Sequence, residues 1–438
     1  MLLNAADKAL WRLALPMIFS NITVPLLGLV DTAVIGHLDS PVYLGGVAVG
    51  ATATSFLFML LLFLRMSTTG LTAQAWGAKD PQRLARALVQ PLALALGAGV
   101  LIILLRLPLI DLALHIVGGS EAVLEQARRF LEIRWLSAPA SLANLVLLGW
   151  LLGVQYARAP VILLVVGNLL NIVLDLWLVM GLRMNVQGAA LATVTAEYAT
   201  LIIGLLMAKR VLTLRGVSLA MLKNAWRGDL RRLLALNRDI MLRSLLLQLC
   251  FGALTVFGAR LGSDIVAVNA VLMTMLTFTA YALDGFAYAV EAHSGQAYGT
   301  RDGSQLLEVW RAACRQSGMV ALAFALIYSL AGQYIIALLT SLPSLQQLAD
   351  RYLIWQTILP VVGVWCYLLD GMFIGATRGA EMRNSMAVAA AGFAVTLLTL
   401  PVLGNHGLWL ALAVFLALRG LSLALIWRRH WRRGTWFS

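Results

Sequence analysis

Hydrophobic positions gather into twelve long runs separated by short polar segments, at about 13–36, 44–72, 88–110, 131–155, 160–181, 188–208, 237–259, 265–291, 317–340, 352–376, 386–403 and 406–427. A helix needs ~20 mainly apolar residues to cross a bilayer, so each run predicts one or nearly one transmembrane span. The first run, LALPMIFSNITVPLLGLVDTAVIG from Leu13 to Gly36, breaks its own pattern at three places. Pro16 and Pro25 remove backbone donors and predict a helix that bends or comes apart locally, so both are candidate hinge residues. Asp31 puts a carboxylate in hydrocarbon, which costs several kcal/mol unless it faces protein or water, or takes up a proton. A breakable helix with a titratable group suits an ion-coupled transporter, although a kinked span with a structural Asp would read the same way.

The chain also repeats itself at a shift of 222 residues. AQAWGAKD at 73–80 faces GQAYGTRD at 295–302, and Gly36 faces Gly258. Gly149 and Gly153 of GWLLG face Gly371 and Gly375 of GMFIG. Six spans in each half carry both halves into the membrane the same way round, which predicts a parallel pseudo-two-fold repeat. The expected fold is therefore an all-α polytopic membrane protein of twelve helices in two six-helix lobes. The N-lobe is expected over 1–208 and the C-lobe over 237–438, rocking about a central cleft to give alternating access. Between them, 209–236 reads as a basic linker, either simply solvated or carrying an amphipathic helix on the anionic inner leaflet.

Composition agrees, since 61% of the 438 residues are hydrophobic and 12% charged, against ~25% charged in a soluble domain. The net charge of +13 matters less than where it sits. With the N-terminus cytoplasmic, 23 Lys and Arg fall in inside segments, eight of them from Lys209 to Arg238, and five fall outside. This bias predicts both termini inside. The last segment, IWRRHWRRGTW, reads as an interfacial anchor, and nucleic acid is a poor partner for basic segments that adjoin spans. The three cysteines show neither a disulfide framework nor a metal spacing, and no cofactor is expected. The first run lacks a cleavage site and is expected to stay as the first span.

Six acids fall within the runs: Asp31, Asp175, Glu197, Asp284, Glu291 and Asp370. Asp175 shares a helical face with Asn168 and Asn171, and Thr193, Glu197 and Thr200 share another. Asp31 and Asp175 both lie in the outer halves of their spans, where a close acid pair among amides can share one proton or hold Na⁺. These residues are the candidate coupling set, with helix–helix hydrogen bonding as the plain alternative. In the second half, Thr277, Tyr281, Asp284, Tyr288 and Glu291 form one polar-aromatic stripe, and Asp370 sits in CYLLDG. Tyr281, Asp284, Tyr288 and Asp370 are candidates for a substrate path that favours cations. Arg65, Arg134 and Arg243 are expected either to partner buried acids or to snorkel.

LVDT around Asp31, the early Pro16, the NxxxD ending at Asp175, YLLDG at Asp370 and the QAWGAKD/QAYGTRD pair resemble the multidrug and toxic compound extrusion (MATE) family, in its DNA-damage-inducible F branch. The resemblance covers essentially the whole chain. It implies antiport of organic cations or other toxic solutes against H⁺ or Na⁺, in a bacterial inner membrane, by a monomer. It matches Asp31, Asn171 and Asp175 to a cation site in the N-lobe, where Na⁺ is the possible metal. Pro16 matches the bend of span 1, and Asp370 matches a C-lobe carboxylate used in some branches. Span 7 offers only Gln248 where Na⁺-coupled branches carry an acid, which tilts the expectation toward protons.

A flippase for lipid-linked oligosaccharides on a related two-lobe fold is the alternative, but it would need a basic cleft for pyrophosphate. An enzyme is not expected: HExxH, GxSxG and GxxxxGK[ST] are absent, and the five histidines are widely separated.

Overall fold

In the computed structural model, the described residues are all but 1–3, 37, 39 and 229, and the side chains of 23–33 and 36 are likewise outside the description. Helices are the only regular secondary structure among them. In chain order they are α1 (Ala5–Gly36), α2 (Pro41–Leu60), α3 (Phe63–Gly77), α4 (Pro81–Leu104), α5 (Arg106–Val117), α6 (Glu121–Arg134), α7 (Ala138–Gly153), α8 (Arg158–Asp175), α9 (Asn185–Leu214), α10 (Leu219–Asn224), α11 (Leu230–Leu261), α12 (Ser263–Thr300), α13 (Gly303–Leu339), α14 (Pro343–Gly375), α15 (Gly379–Thr396), α16 (Leu400–Leu403) and α17 (Asn405–Arg433). Eleven helical stretches among the described residues are long and apolar enough to cross a bilayer. The twelfth expected span, 13–36, lies inside α1. The protein is thus a multi-pass membrane protein.

The chain divides into two compact units, Ile22–Leu233 (the N unit) and Met1–Asn21 with Leu234–Ser438 (the C unit). The expected lobes began at residue 1 and ended at 208, so two segments group differently. The first 21 residues belong with the second half, and the linker as far as Leu233 belongs with the first.

Contacts within the C unit show what holds those first residues. Trp11 meets Phe286 edge-on at 5.1 Å, and the Ala9 carbonyl lies 3.2 Å from His293 Nε2. A Cβ on Gly285 would stand 2.9 Å from the Ile18 amide nitrogen, so glycine is what lets α1 lie against α12. At the helix start Asn4 and Asp7 form a reciprocal capping box, and Asp7 also accepts from Arg315 Nη2 at 3.0 Å. Burial alone would raise the Asp7 carboxyl, but the Arg315 and Asn4 hydrogen bonds outweigh it and hold it below its ordinary value. A depressed carboxylate contributes its stability above its unfolded pKa of ~3.9, and loses it only as acid falls past the lower folded value. This clamp is therefore silent to protons near neutral pH.

The helix α1 runs unbroken from Ala5 to Gly36, through Pro16 and Pro25. Of the two outcomes expected, a bend or a local break, the helix shows no break. Neighbouring helices can absorb the missing hydrogen bonds of a membrane proline without ending the helix.

The 222-residue repeat has a clear structural content. Asp80 and Asp302 are the N-caps of α4 and α13, accepting from Gln82 (3.1 Å) and Gln305 (3.2 Å) backbone amides. The residues before them, Lys79 and Arg301, both take positive φ, at 51° and 57°. Gln155 and Thr377 pair at the same shift and are also positive, at 62° and 55°. The motif therefore encodes a helix stop, a left-handed residue and a cap. The paired glycines seat one helix on another. A Cβ on Gly149 would lie 2.6 Å from the Arg65 carbonyl of α3, and one on Gly371 would lie 2.7 Å from the Ala287 carbonyl of α12. In both halves the contact is backbone to backbone, as small residues permit in membranes.

Both basic segments are more tightly fastened than expected. Of 209–236, the first six residues continue α9, Leu219–Asn224 form the six-residue α10, and the stretch from Leu230 begins α11. Gln82 Nε2 donates to the Met221 carbonyl (3.5 Å) and Gln90 Nε2 to the Gly228 carbonyl (2.9 Å), tying the linker to α4. At the C-terminus Trp436 is buried against Phe373 at 5.0 Å. Arg378 holds it by donating to the Thr435 and Trp436 carbonyls at 3.0 and 2.8 Å.

Candidate functional site

In the N unit, polar groups collect where α8 meets α9. The helix α8 ends at Asp175 and continues as a π turn, Leu176–Gly181. Such a turn widens the helix, re-aims the side chains beside it, and is frequent at functional sites. Asp175 is 1% exposed and Asn171, one turn earlier, is 3% exposed. Asn171 Nδ2 reaches Thr193 Oγ1 of α9 at 3.4 Å, and Thr193 in turn donates to the Ala189 carbonyl. Asn171 Oδ1 is buried with no hydrogen-bond partner among the described residues. Asn168 is half-buried on the same helix.

One turn beyond Thr193, Glu197 is half-buried and accepts from Asn144 Nδ2 of α7 at 3.0 Å. The same amide also donates to the Glu197 carbonyl at 3.1 Å. Asn144 was missed in the sequence reading. Its one signal is an amide alone in the apolar run SLANLVLLGW, which a bilayer-facing helix would not carry. The side chains of Asp31 and Pro25 lie outside the described residues.

The C unit is built differently. Asp370 Oδ2 accepts from Arg243 Nη2 of α11 at 2.6 Å and from Arg419 Nη2 of α17. All three side chains are buried, and the two guanidinium groups compete for one carboxylate oxygen. Asp370, expected on the substrate path, is thus engaged by two buried arginines. Arg243 is a partner as expected, whereas Arg419 was not foreseen. The stripe on α12 is half-buried at Tyr281, Asp284 and Tyr288 and buried at Glu291. The Tyr281 carbonyl accepts from Asn21 Nδ2 at 3.1 Å.

Arg65 bonds Thr69 Oγ1 at 3.3 Å, while Arg134 bonds Ser137 and covers the Phe58 ring. Both satisfy themselves locally in part.

The MatE family profile matches residues 16–177 and again 240–403, one copy in each half. The chain belongs to the MatE family. It is 87% identical over 436 residues to the DNA damage-inducible protein F of Escherichia coli K12, covering 100% of this chain and 95% of that one. It is 23% identical to a probable multidrug resistance protein NorM of Acinetobacter baylyi, over 96% of this chain and 94% of the relative. Among solved structures, a MATE protein in its bent conformation superposes with a TM-score of 0.85 at 24% identity, covering 98% of this chain and 96% of that one. This last likeness supports the fold alone. Membership makes the protein a membrane transporter of the MatE type and not an enzyme.

Proposed function

We propose that this MatE transporter is a proton-coupled efflux antiporter for multiple drugs or toxic solutes, working by alternating access in a bacterial inner membrane as a monomer with both termini cytoplasmic. The observation that carries the reading is the α8–α9 cluster. Carboxylates Asp175 and Glu197 lie inside apolar spans among amides and hydroxyls, beside a π turn and a buried amide oxygen with no donor among the described residues. Such a group of oxygen ligands accepts a proton or a small cation, and an acid held at this depth changes charge with little reorganisation.

Asp31, Asn171 and Asp175 are the core of the coupling site, with Asn168, Thr193 and Glu197 around them. Pro16 and Pro25 are the positions at which α1 would flex. Tyr281, Asp284 and Tyr288 line the solute path in the C unit. Protons are preferred over Na⁺ because Asp370, the C-unit carboxylate the resemblance singled out, is engaged by Arg243 and Arg419. The multidrug resistance name of the Acinetobacter relative supports drugs as the cargo. One proton entering down 100 mV releases ~2.3 kcal/mol, which sustains roughly 50-fold solute accumulation.

Purified protein in liposomes, loaded with ethidium, tests this with a pH gradient and a Na⁺ gradient imposed separately. The pH gradient alone is expected to drive ethidium movement at several times the protein-free rate. Movement driven only by the Na⁺ gradient would overturn proton coupling.

A further inference from the structure

Where α7 packs on α9, Asn144 and Glu197 share two hydrogen bonds. Asn144 Nδ2 donates to Glu197 Oε2 at 3.0 Å and to the Glu197 carbonyl at 3.1 Å. An ionised carboxylate and a carbonyl only accept, so the amide turns its NH₂ toward them and spends both hydrogens there. What the pair has left is two acceptors, Glu197 Oε1 and Asn144 Oδ1. Neither is enclosed, and neither has a hydrogen-bond partner among the described residues. Glu197 is thus held by a neutral amide, whereas Asp370 is held by two arginines.

The open oxygens do not face lipid. Thr193, Glu197, Thr200 and Gly204 follow one another at spacings of four, three and four, so they form one stripe of α9. At one end of the stripe Thr193 meets Asn171 of α8 at 3.4 Å. At the other, a Cβ on Gly204 would stand 3.0 Å from the Leu147 side chain of α7. The exposed side chains of this part of α9, Tyr198, Ile202, Leu205 and Leu206, lie on its other side. Glu197 and Asn144 are both half-buried, so their open oxygens look into the space between helices of the N unit. A carboxylate turned to hydrocarbon would be costly, which agrees with this placement.

We propose that Asn144 and Glu197 bind the charged nitrogen of the cargo and select ammonium, amidinium or guanidinium groups, which carry N–H donors, over quaternary cations, which carry none. Glu197 Oε1 supplies the negative charge and one acceptor, and Asn144 Oδ1 supplies the second. Asn144 is also a positioning residue, because its two hydrogen bonds hold the carboxylate in one orientation. Charge alone would not make this choice. In an apolar site the better hydrated ammonium binds more weakly than its methylated counterpart. Two fixed acceptors reverse that order, since a cation without N–H leaves both of them stripped of water and unpaired. The proposal rests on the efflux reading for the existence of a cargo, and it names the chemistry by which the cargo is chosen.

The test uses purified full-length protein in detergent micelles at neutral pH. It is dialysed to equilibrium against pyrenylmethylammonium or its N,N,N-trimethyl derivative, which share a ring system and a charge. Protein-free micelles correct for partition into detergent. The wild type is expected to bind the ammonium roughly tenfold more tightly than the trimethyl compound, about the worth of one hydrogen bond to a charged group. In Glu197→Gln the new amide accepts from Asn144 through its oxygen, so an NH₂ donor takes the open side. The preference is expected to fall to near one. Asn144→Ala, which removes one acceptor and frees the carboxylate, is expected to reduce the preference severalfold.

A ratio near one in the wild type overturns the proposal and needs no variant. So does a Glu197→Gln variant that binds both cations more weakly while keeping their ratio, the mark of lost charge or lost packing alone. The dialysis imposes no gradient. Ethidium movement driven only by Na⁺ would overturn proton coupling and leave the ratio as it is, whereas a ratio near one leaves proton-driven movement standing.

Discussion

Asp31→Asn is expected to reduce proton-driven ethidium movement in liposomes to the protein-free level while the protein inserts and purifies as wild type. Asn is close to Asp in size but cannot exchange a proton. A charged side chain costs up to ~2.5–3.5 kcal/mol at the centre of a span and less in its outer half, where Asp31 falls, so neutralising it leaves stability unchanged or slightly higher. Loss of transport with retained stability is the signature of a coupling acid. Full activity in this variant would remove Asp31 from the mechanism and leave Asp175 and Glu197 to carry the charge change.

Asp370→Asn is expected to give the opposite result, a marked loss of stability. The substitution leaves Arg243 and Arg419 buried with no carboxylate between them. Breaking a buried ion group by removing one partner typically costs ~3–5 kcal/mol, because the remaining charge is uncompensated. Thermal unfolding in detergent reads this directly as a drop of many degrees. Arg243→Met/Arg419→Met/Asp370→Leu is expected to recover most of the loss, since well-packed apolar replacements of buried ion groups are often neutral or stabilising. Wild-type stability in Asp370→Asn would show that the two arginines do not depend on this carboxylate, and would leave it available to the substrate path.

These opposed outcomes for two acids in similar sequence surroundings mark where reading the chain reaches its limit. The spans and the repeat were legible because hydrophobic runs and a constant shift are properties of order along the chain. The repeat extended to backbone conformation: Lys79 with Arg301 and Gln155 with Thr377 share positive φ, and Asp80 with Asp302 share a capping role. The helical faces also carried Asn171 and Thr193 into one cluster, since 3.6-residue periodicity fixes which residues share a side.

Partners far apart in sequence were not legible. Asp370 meets residues 127 and 49 positions away, and nothing in YLLDG announces that both are arginines. Asn144 reaches Glu197 across 53 positions. The grouping of residues 1–21 with the second half depends on contacts such as Trp11 with Phe286, which pairwise packing decides and composition does not. The packing of the C-terminal tail was not legible for a related reason. Nothing in the tail's composition announces that Trp436 packs on Phe373, His430 and the Arg378 guanidinium.

The central claim is that a solute and a proton exclude one another through one set of acids. Proton release on solute binding measures this most directly, using purified protein in weakly buffered detergent solution with a pH-sensitive dye. Adding ethidium to the wild type is expected to release close to one proton per bound ethidium near neutral pH, and Asp31→Asn is expected to release essentially none. Ethidium bound with no proton released at any pH, or equal release from Asp31→Asn, would contradict the account.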